Sequence, residues 1–475
     1  MSGRQRPQTW ALILTSTAFF MAALDLLVVA TALPAIHNAL RAGAGTLEWT
    51  INAYGLATAS GIITAAALGD RLGRRRLFTL GLGIFTAASF ACALAPDAGT
   101  LIAARAVQGI GAAIIAPLSL TLLTAAFPPE RRGAVTGIWG GLAGLAIAAG
   151  PVVGGVVTQD FSWHWIFWIN VPVGLAAAWL SQRKLTESTG PATELDLPAV
   201  ALVTIGALGL VWGLTEAGGH GLTRASTGVS LLIGVAAIAA FGVRERNARQ
   251  PMLPLRLFRS RTFAAANLTA FLTNAALLPG AILITEYLQI GLRYSPLAAG
   301  VHFLPMTAAP VIVAPLAGRL TDRIGPQAVM TTGLALFAAG LGWVGLAAGA
   351  GATYGALVLP LLVAGAGVSM PFAATASASL AAVPPEDIGK ASGTTNTLQR
   401  FGGAFGLALT TAVFTATGRL TSAAAFTPGF RAAELTAAAL AVLGVPAAAC
   451  ACARKPDRPA TTQLTPSTAA ASAGH

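Results

Sequence analysis

Charge is what this chain lacks most. Only 10% of its 475 residues are Asp, Glu, Lys or Arg, where a soluble globular domain carries about 25%. So few charges cannot cover the roughly three soluble domains that the length alone would suggest. Lysine is almost missing: Lys184, Lys390 and Lys455 are the three among 29 basic residues. The net charge is +12 (29 − 17), but the arginines lie in short gaps between apolar runs, which excludes a nucleic-acid patch. Cysteine is scarce too. Cys92, Cys450 and Cys452 all fall inside apolar runs, with no Cys/His ligand spacing, and read as small buried apolar residues. There is no G-x-x-x-x-G-K-[ST] loop and no nucleophile–base constellation, which argues against an enzyme and against direct drive by ATP. Disorder needs low hydrophobicity, and 55% of the residues are hydrophobic.

What is present is apolar sequence in blocks of about twenty residues, the length that crosses a roughly 30 Å hydrocarbon core as a helix. The first block, near 10–36, is too long for a signal-peptide core and holds Asp25, so it reads as a retained span. Spans are expected near 10–35, 48–69, 77–95, 100–126, 134–157, 164–181, 198–216 and 226–243. Six more follow near 263–289, 296–317, 327–348, 353–380, 393–417 and 431–453, making fourteen. An even count puts both termini on one side. With the N-terminus inside, 22 Arg and Lys lie inside and five outside (Arg41, Arg224, Arg293, Arg419 and Arg431). Positive loops stay cytoplasmic, so both termini are expected in the cytoplasm and the protein in the inner cell membrane.

A repeat organises these spans. Ala66-Ala-Leu-Gly-Asp70-Arg71-Leu-Gly73 and Gly318-Arg-Leu-Thr-Asp322-Arg323-Ile-Gly325 share the pattern G-x-L-x-D-R-x-G, with Ala66 in the first glycine's place. An Asp-Arg pair beside a tight Gly turn suits a charge latch between helix ends. The copies stand eight spans apart, where a six-plus-six duplication would give six. The surplus is one hairpin, most economically spans seven and eight. The expected division is a six-helix bundle over 1–190, a hairpin and linker over 191–250, a second bundle over 251–455 and a disordered tail over 456–475. Parallel halves around a central site are the plan of one large transporter class.

On these motifs the sequence resembles the major facilitator superfamily and, within it, the fourteen-span drug:proton antiporters. Leu101-Ile-Ala-Ala-Arg105-Ala-Val-Gln108-Gly109-Ile-Gly111 matches the family motif tied to proton coupling. Gly150-Pro151-Val-Val-Gly154-Gly155 matches its antiporter motif, with Gly137 upstream and Ala146 where glycine is usual. Leu24-Asp25 through Ala32-Leu33-Pro34 is similar to the first-span motif of the fourteen-span group, with Leu27 and Ala30 replacing its Thr and Asn. Trp163-His164-Trp165-Ile166-Phe167 through Asn170-Val171-Pro172 is similar to its sixth-span entry, His164 standing where Arg is common. The resemblance implies an all-α polytopic membrane protein: two six-helix bundles plus an inserted hairpin. It implies a monomer in lipid that exchanges protons for a small amphipathic molecule, with the proton gradient in place of a cofactor. An uptake symporter on the same fold and a non-transporting membrane sensor are the alternatives.

Each candidate residue carries its own physical reading. A charge within a span costs several kcal/mol unless it is paired or wetted. Asp25 sits roughly 12 Å from the outer end of span one, and Arg105 roughly 7 Å from that end of span four, by rise per residue. An Arg side chain spans the difference if those helices face each other. Arg105 reads as a cavity-lining cation or as a structural one, and Asp25 as the proton-handling acid or a helix-capping bond. Gln108 shares the Arg105 face. Gly150, Pro151 and Gly154 give a kinked helix a smooth face for sliding against the opposite half. Glu286 reads equally as a second titratable cavity acid and as an interfacial residue. Asn267 and Asn274, two turns apart, could line the cavity; His302 could titrate near neutral pH or be a satisfied polar residue. Arg400 is expected as an anchor near the cytoplasmic side, and Arg244 to Thr262 as an amphipathic linker on anionic lipid.

Overall fold

Apolar runs fold as helices because a bilayer offers no water to an unpaired backbone N–H or C=O. The computed structural model describes residues 5–190, 196–220, 224–248, 255–349, 352–384 and 387–451. The helices are α1 (Gln5–Leu40), α2 (Ala44–Leu72), α3 (Arg74–Ala93), α4 (Ala98–Ala126), α5 (Pro129–Asp160), the single turn α6 (Trp165–Trp168) and α7 (Asn170–Lys184). Then come α8 (Leu197–His220), α9 (Ala225–Asn247), α10 (Arg261–Glu286), α11 (Pro296–Ile324), α12 (Pro326–Ala347), α13 (Tyr354–Ala381), α14 (Ile388–Thr417) and α15 (Ala423–Ala449). A 3-10 turn, Leu255–Arg259, precedes α10, and a π turn, Tyr287–Gly291, ends it.

Local chemistry sets many of these boundaries. Side chains of Asp97, Ser260, Ser295 and Ser422 accept the backbone N–H three residues on, capping α4, α10, α11 and α15. Those bonds to Thr100 hold the exposed Asp97 carboxyl below its usual range. Threonines within helices return their hydroxyls to the carbonyl four residues back, as Thr86 does to Leu82 and Thr285 to Ala281. This leaves them no polar demand on lipid.

Among the described residues ten helices are long and apolar enough to cross a membrane, and the bent pair Thr46–Ile62 and Thr64–Leu72 within α2 makes an eleventh. The protein is a multi-pass membrane protein. Three of the fourteen expected spans, α5, α7 and α14, fall outside that set: α7 has 15 residues, many α5 side chains lie outside the described ones, and α14 carries Arg400 within a polar first half.

Helix packing repeats. α1 packs on α4, α5 and α7 as α10 packs on α13, α14 and α15; α3 meets α4 and α7 as α12 meets α13 and α15. The backbone repeats as well. Gly73 (φ 106°) and Gly325 (φ 88°) turn α2 into α3 and α11 into α12, and Arg41 (φ 50°) and Arg293 (φ 58°) follow α1 and α10. Both pairs are 252 residues apart (325 − 73 and 293 − 41). A positive φ on a non-glycine residue is uncommon, so Arg41 and Arg293 are as firm a mark of duplication as the glycines. α8 and α9 pack on each other, with α8 also against α2 and α14.

The two helix sets meet at the end opposite the arginine-rich turns. Gly155 of α5 lies against α11, where an added Cβ would stand 2.7 Å from Leu297 Cα, and Gly300 of α11 lies against Pro151 and Val152. Gln289 donates to the Thr31 carbonyl at 3.1 Å, and Leu297 N–H to Gln159 Oε1 at 3.4 Å. Ile282 and Leu407 join the apolar cluster around Val29, Ile36 and Leu101.

At the arginine-rich end part of the Arg244 to Thr262 linker is seated on the protein. Leu257 is buried, Phe258 packs on Phe263, and Arg256 pairs with buried Asp387 at 2.8 Å; residues 249–254 lie outside the described ones. Cys450 is exposed rather than buried. The expected tail 456–475 and Cys452 also lie outside the described residues.

Candidate functional site

Asp25 is on α1, a little past its middle. α4 presents Arg105 and Gln108 one turn apart on a single face, α7 begins with Asn170, and α3 brings Ser89 and Cys92. These helices converge, and their polar side chains close on one another. Arg105 Nη1 donates to Asp25 Oδ2 and, at 2.7 Å, to Gln108 Oε1, while its Nε donates to the Thr50 carbonyl at 2.9 Å. Asp25 Oδ1 accepts from Gln108 Nε2 at 3.0 Å and Asn170 Nδ2 at 2.8 Å. Ser89 Oγ takes the second Gln108 bond at 2.6 Å, and the Cys92 thiol donates to Gln108 Oε1 at 3.7 Å. The Arg105 guanidinium stacks 4.3 Å above the Tyr54 ring, whose hydroxyl donates to the Ala22 carbonyl at 2.8 Å.

The whole cluster is sealed. Arg105, Gln108 and Ser89 are 0% exposed, and Asp25 is 3% exposed. The expected pairing of Asp25 with Arg105 is present, and both sit in packing rather than along a cavity wall. Burying two such charges is costly even when they are paired, and the five hydrogen bonds around them offset that cost. One group is left over: among the described residues Arg105 Nη2 has no acceptor. Asn170 figured in the sequence only as part of the sixth-span motif, and Ser89 and Tyr54 carried no expectation. Nor did Glu48, a second deeply buried acid in this half at 4% exposed.

The Major Facilitator Superfamily model matches residues 15–406 and, again, 263–473. The chain belongs to the major facilitator superfamily. It is 35% identical over 408 residues to the tetracenomycin C resistance and export protein of Streptomyces glaucescens, covering 85% of this chain and 76% of that one. It is 36% identical over 427 residues to the cephamycin export protein CmcT of Amycolatopsis lactamdurans, covering 87% and 86%. In fold it is similar to the crystal structure of the peptide transporter POT in complex with sulfate: TM-score 0.67 at 18% identity, over 92% of this chain and 95% of that one.

Other residues of this superfamily member stand apart from the Asp25 cluster. Glu286 lines a cavity of ≈ 170 Å³ with Leu33, Pro34, His37, Asn38 and Leu47 at the arginine-poor end. His302 lies between Tyr294 (4.4 Å, stacked) and Tyr354 (4.1 Å, edge-on), its Nδ1 donating to the Ala298 carbonyl at 2.5 Å. Asn274 is half-buried and donates to the Ala270 carbonyl at 3.0 Å; Asn267 is buried and accepts from Thr395 at 3.0 Å. Glu434 of α15 is fully buried with no donor on either carboxyl oxygen among the described residues.

The motif glycines divide their work. Gly150 and Gly154 face Leu27, Val28 and Thr31 of α1, within their own set, whereas Pro151, Val152 and Gly155 face α11. The smooth face is therefore two faces. In the loop motif the latch runs from Asp70 to Arg74 (2.8 Å), across Gly73, while Arg71 is exposed. A strap after α7 covers it: Glu187 accepts from the Arg75 N–H at 2.9 Å, and Gly190 N–H donates to the Asp70 carbonyl at 3.0 Å. In the second copy Gly325 makes the same turn and Arg323 is exposed; the Asp322 side chain lies outside the described ones, as does that of Gly137.

Proposed function

We propose that this protein is a proton-coupled antiporter that exports a small amphipathic drug or antibiotic by alternating access. The observation that carries the reading is a sealed Asp25–Arg105–Gln108–Asn170 cluster in a chain whose relatives are antibiotic export proteins. On this reading all fourteen long helices cross the inner cell membrane. α1–α7 and α10–α15 form the two halves, and α8–α9 is an inserted hairpin. The arginine-rich end, with both termini, faces the cytoplasm. Contacts between halves at the opposite end then make this the state closed to the outside.

The cluster supplies the chemistry. When Asp25 is ionised, Arg105 neutralises it and the pair can remain buried. Protonation of Asp25 removes the partner of Arg105, whose guanidinium must then find other acceptors or water. Two protonation states thus favour two arrangements of α1 against α4, and that difference in energy is what a proton gradient can act on. The Asp25 proton takes the place of a cofactor. An apolar substrate path with few acids suits a neutral or singly cationic amphiphile, carried by a monomer.

The test is drug efflux in a pump-deficient host and in everted vesicles. Wild type should acidify-drive export of a compound that it protects against, and Asp25→Asn should reach the membrane yet lose proton-driven export by at least tenfold. Full export by Asp25→Asn would remove Asp25 from coupling, and export that ignores an imposed pH gradient would remove proton coupling altogether.

A further inference from the structure

Glu48 lies outside the Asp25 cluster, at the joint between the two helix sets. It is one turn into α2, on the face that meets α14, and is 4% exposed. Its Oε1 accepts from Asn52 Nδ2 at 2.8 Å. The Thr411 hydroxyl of α14 also bonds the Glu48 carboxyl, and Asn52 Oδ1 beside it has no donor among the described residues, although Asn52 is only 1% exposed. Across the joint Glu286 of α10 is near enough for its charge to bear on Glu48. The cavity that Glu286 lines also touches Leu47, the residue before Glu48.

Acceptors therefore outnumber donors here. Asn52 Oδ1 lacks a hydrogen among the described residues, and a second carboxyl, Glu286 of the other set, lines the cavity beside Leu47. The other groups around the joint do not correct the imbalance. His37 of α1 uses Nδ1 to donate to the Ala42 carbonyl at 2.7 Å, so a neutral ring leaves only an acceptor, Nε2. Thr411 of α14 approaches Glu48, but a hydroxyl serves an ionised and a protonated carboxyl alike. From α8 comes Trp212, against Trp49. Arg105 of α4 reaches the Thr50 carbonyl nearby, with its charge engaged by Asp25. A buried carboxyl set against no cation among the described residues is relieved of its charge by a proton.

We infer that Glu48, with Glu286 opposite it, is a proton-binding site that works the closure of the arginine-poor end, protonated when that end is shut and ionised when it is open. Shutting the end removes water from Glu48 with no cation to pair it, and an unpaired buried carboxylate costs several kcal/mol. A proton removes that penalty, whereas opening restores water and lets both carboxyls ionise. The site is separate from Asp25 and holds whichever compound is carried.

Spin labels on Asp160→Cys and Ser295→Cys, both exposed beside the α5–α11 contact, would report the closure by pulsed electron resonance in the full chain, with native cysteines replaced by serine. The short distance should dominate at acidic pH and a longer one should grow at alkaline pH. Glu48→Gln, a permanent mimic of the protonated side chain, should keep the short distance at every pH. If Glu48→Gln fails to fold, Glu286→Gln serves, and should displace the midpoint of the transition. A flat wild-type profile, or a Glu48→Gln profile equal to wild type, overturns the inference. A response lost in Asp25→Asn and kept in Glu48→Gln also overturns it, while leaving proton coupling through Asp25 standing.

Discussion

Arg105 shows how one side chain can be both a structural risk and a working part. It is fully buried, bonded to Asp25, Gln108 and the Thr50 carbonyl, and stacked on Tyr54. Removing one partner from a buried pair typically costs about 3–5 kcal/mol because the other charge is left alone, whereas removing both costs far less. Arg105→Gln should therefore lower the melting temperature in detergent well below that of the Asp25→Asn/Arg105→Gln double variant. Additive losses in the double variant would mean that the pair is not the unit. Arg105→Lys is not a mild change here, since a lysine has no planar fork to reach Gln108 and Asp25 together.

At the level of elements, the two loop motifs are alike in sequence and unlike in surroundings. Both glycines hold a positive φ that costs a residue with a Cβ on the order of 1–3 kcal/mol. A Cβ at Gly73 would also stand 2.9 Å from the Glu187 carboxyl carbon, while one at Gly325 would meet open space. Gly73→Ala should thus destabilise more than Gly325→Ala in thermal melts, and Glu187→Ala should shrink the difference. Equal losses would show that the strap over Asp70 and Arg75 does not press on the turn. Because that strap leads into α8, a looser Gly73 turn is also a looser tether for the α8–α9 hairpin.

For the whole molecule, the joint between helix sets rests on backbone approach. Gly155 and Gly300 leave no room for a side chain against Leu297 and Val152. Gly155→Leu and Gly300→Leu should prop the arginine-poor end open, so that a membrane-impermeant thiol reagent labels Ser295→Cys faster and export falls, with expression preserved. Unchanged labelling and export would mean that α5 and α11 do not close against each other during the cycle. The 252-residue repeat of Gly73 with Gly325 and Arg41 with Arg293 makes the same joint two-sided: each set supplies one half of it.

The sequence by itself determined the membrane-spanning helical class and the repeat, through apolar run length and the turns that glycine permits; the family came from the likeness of its motifs, and rise per residue let Arg105 reach Asp25 only if spans one and four face each other. It was silent on Asn170, Ser89 and Tyr54 as partners, because nothing local says which face of α7, α3 or α2 turns toward Asp25. Glu434 left a legible signal, an acid within an apolar run, that went unweighed. Glu48 fell at the edge of its expected span, whereas the helix begins at Ala44 and carries it inside. Its burial is made with α14, more than three hundred residues away. Only tertiary structure decided that, because burial of a charge depends on what packs over it, and packing partners are chosen by the fold rather than by neighbours in the chain.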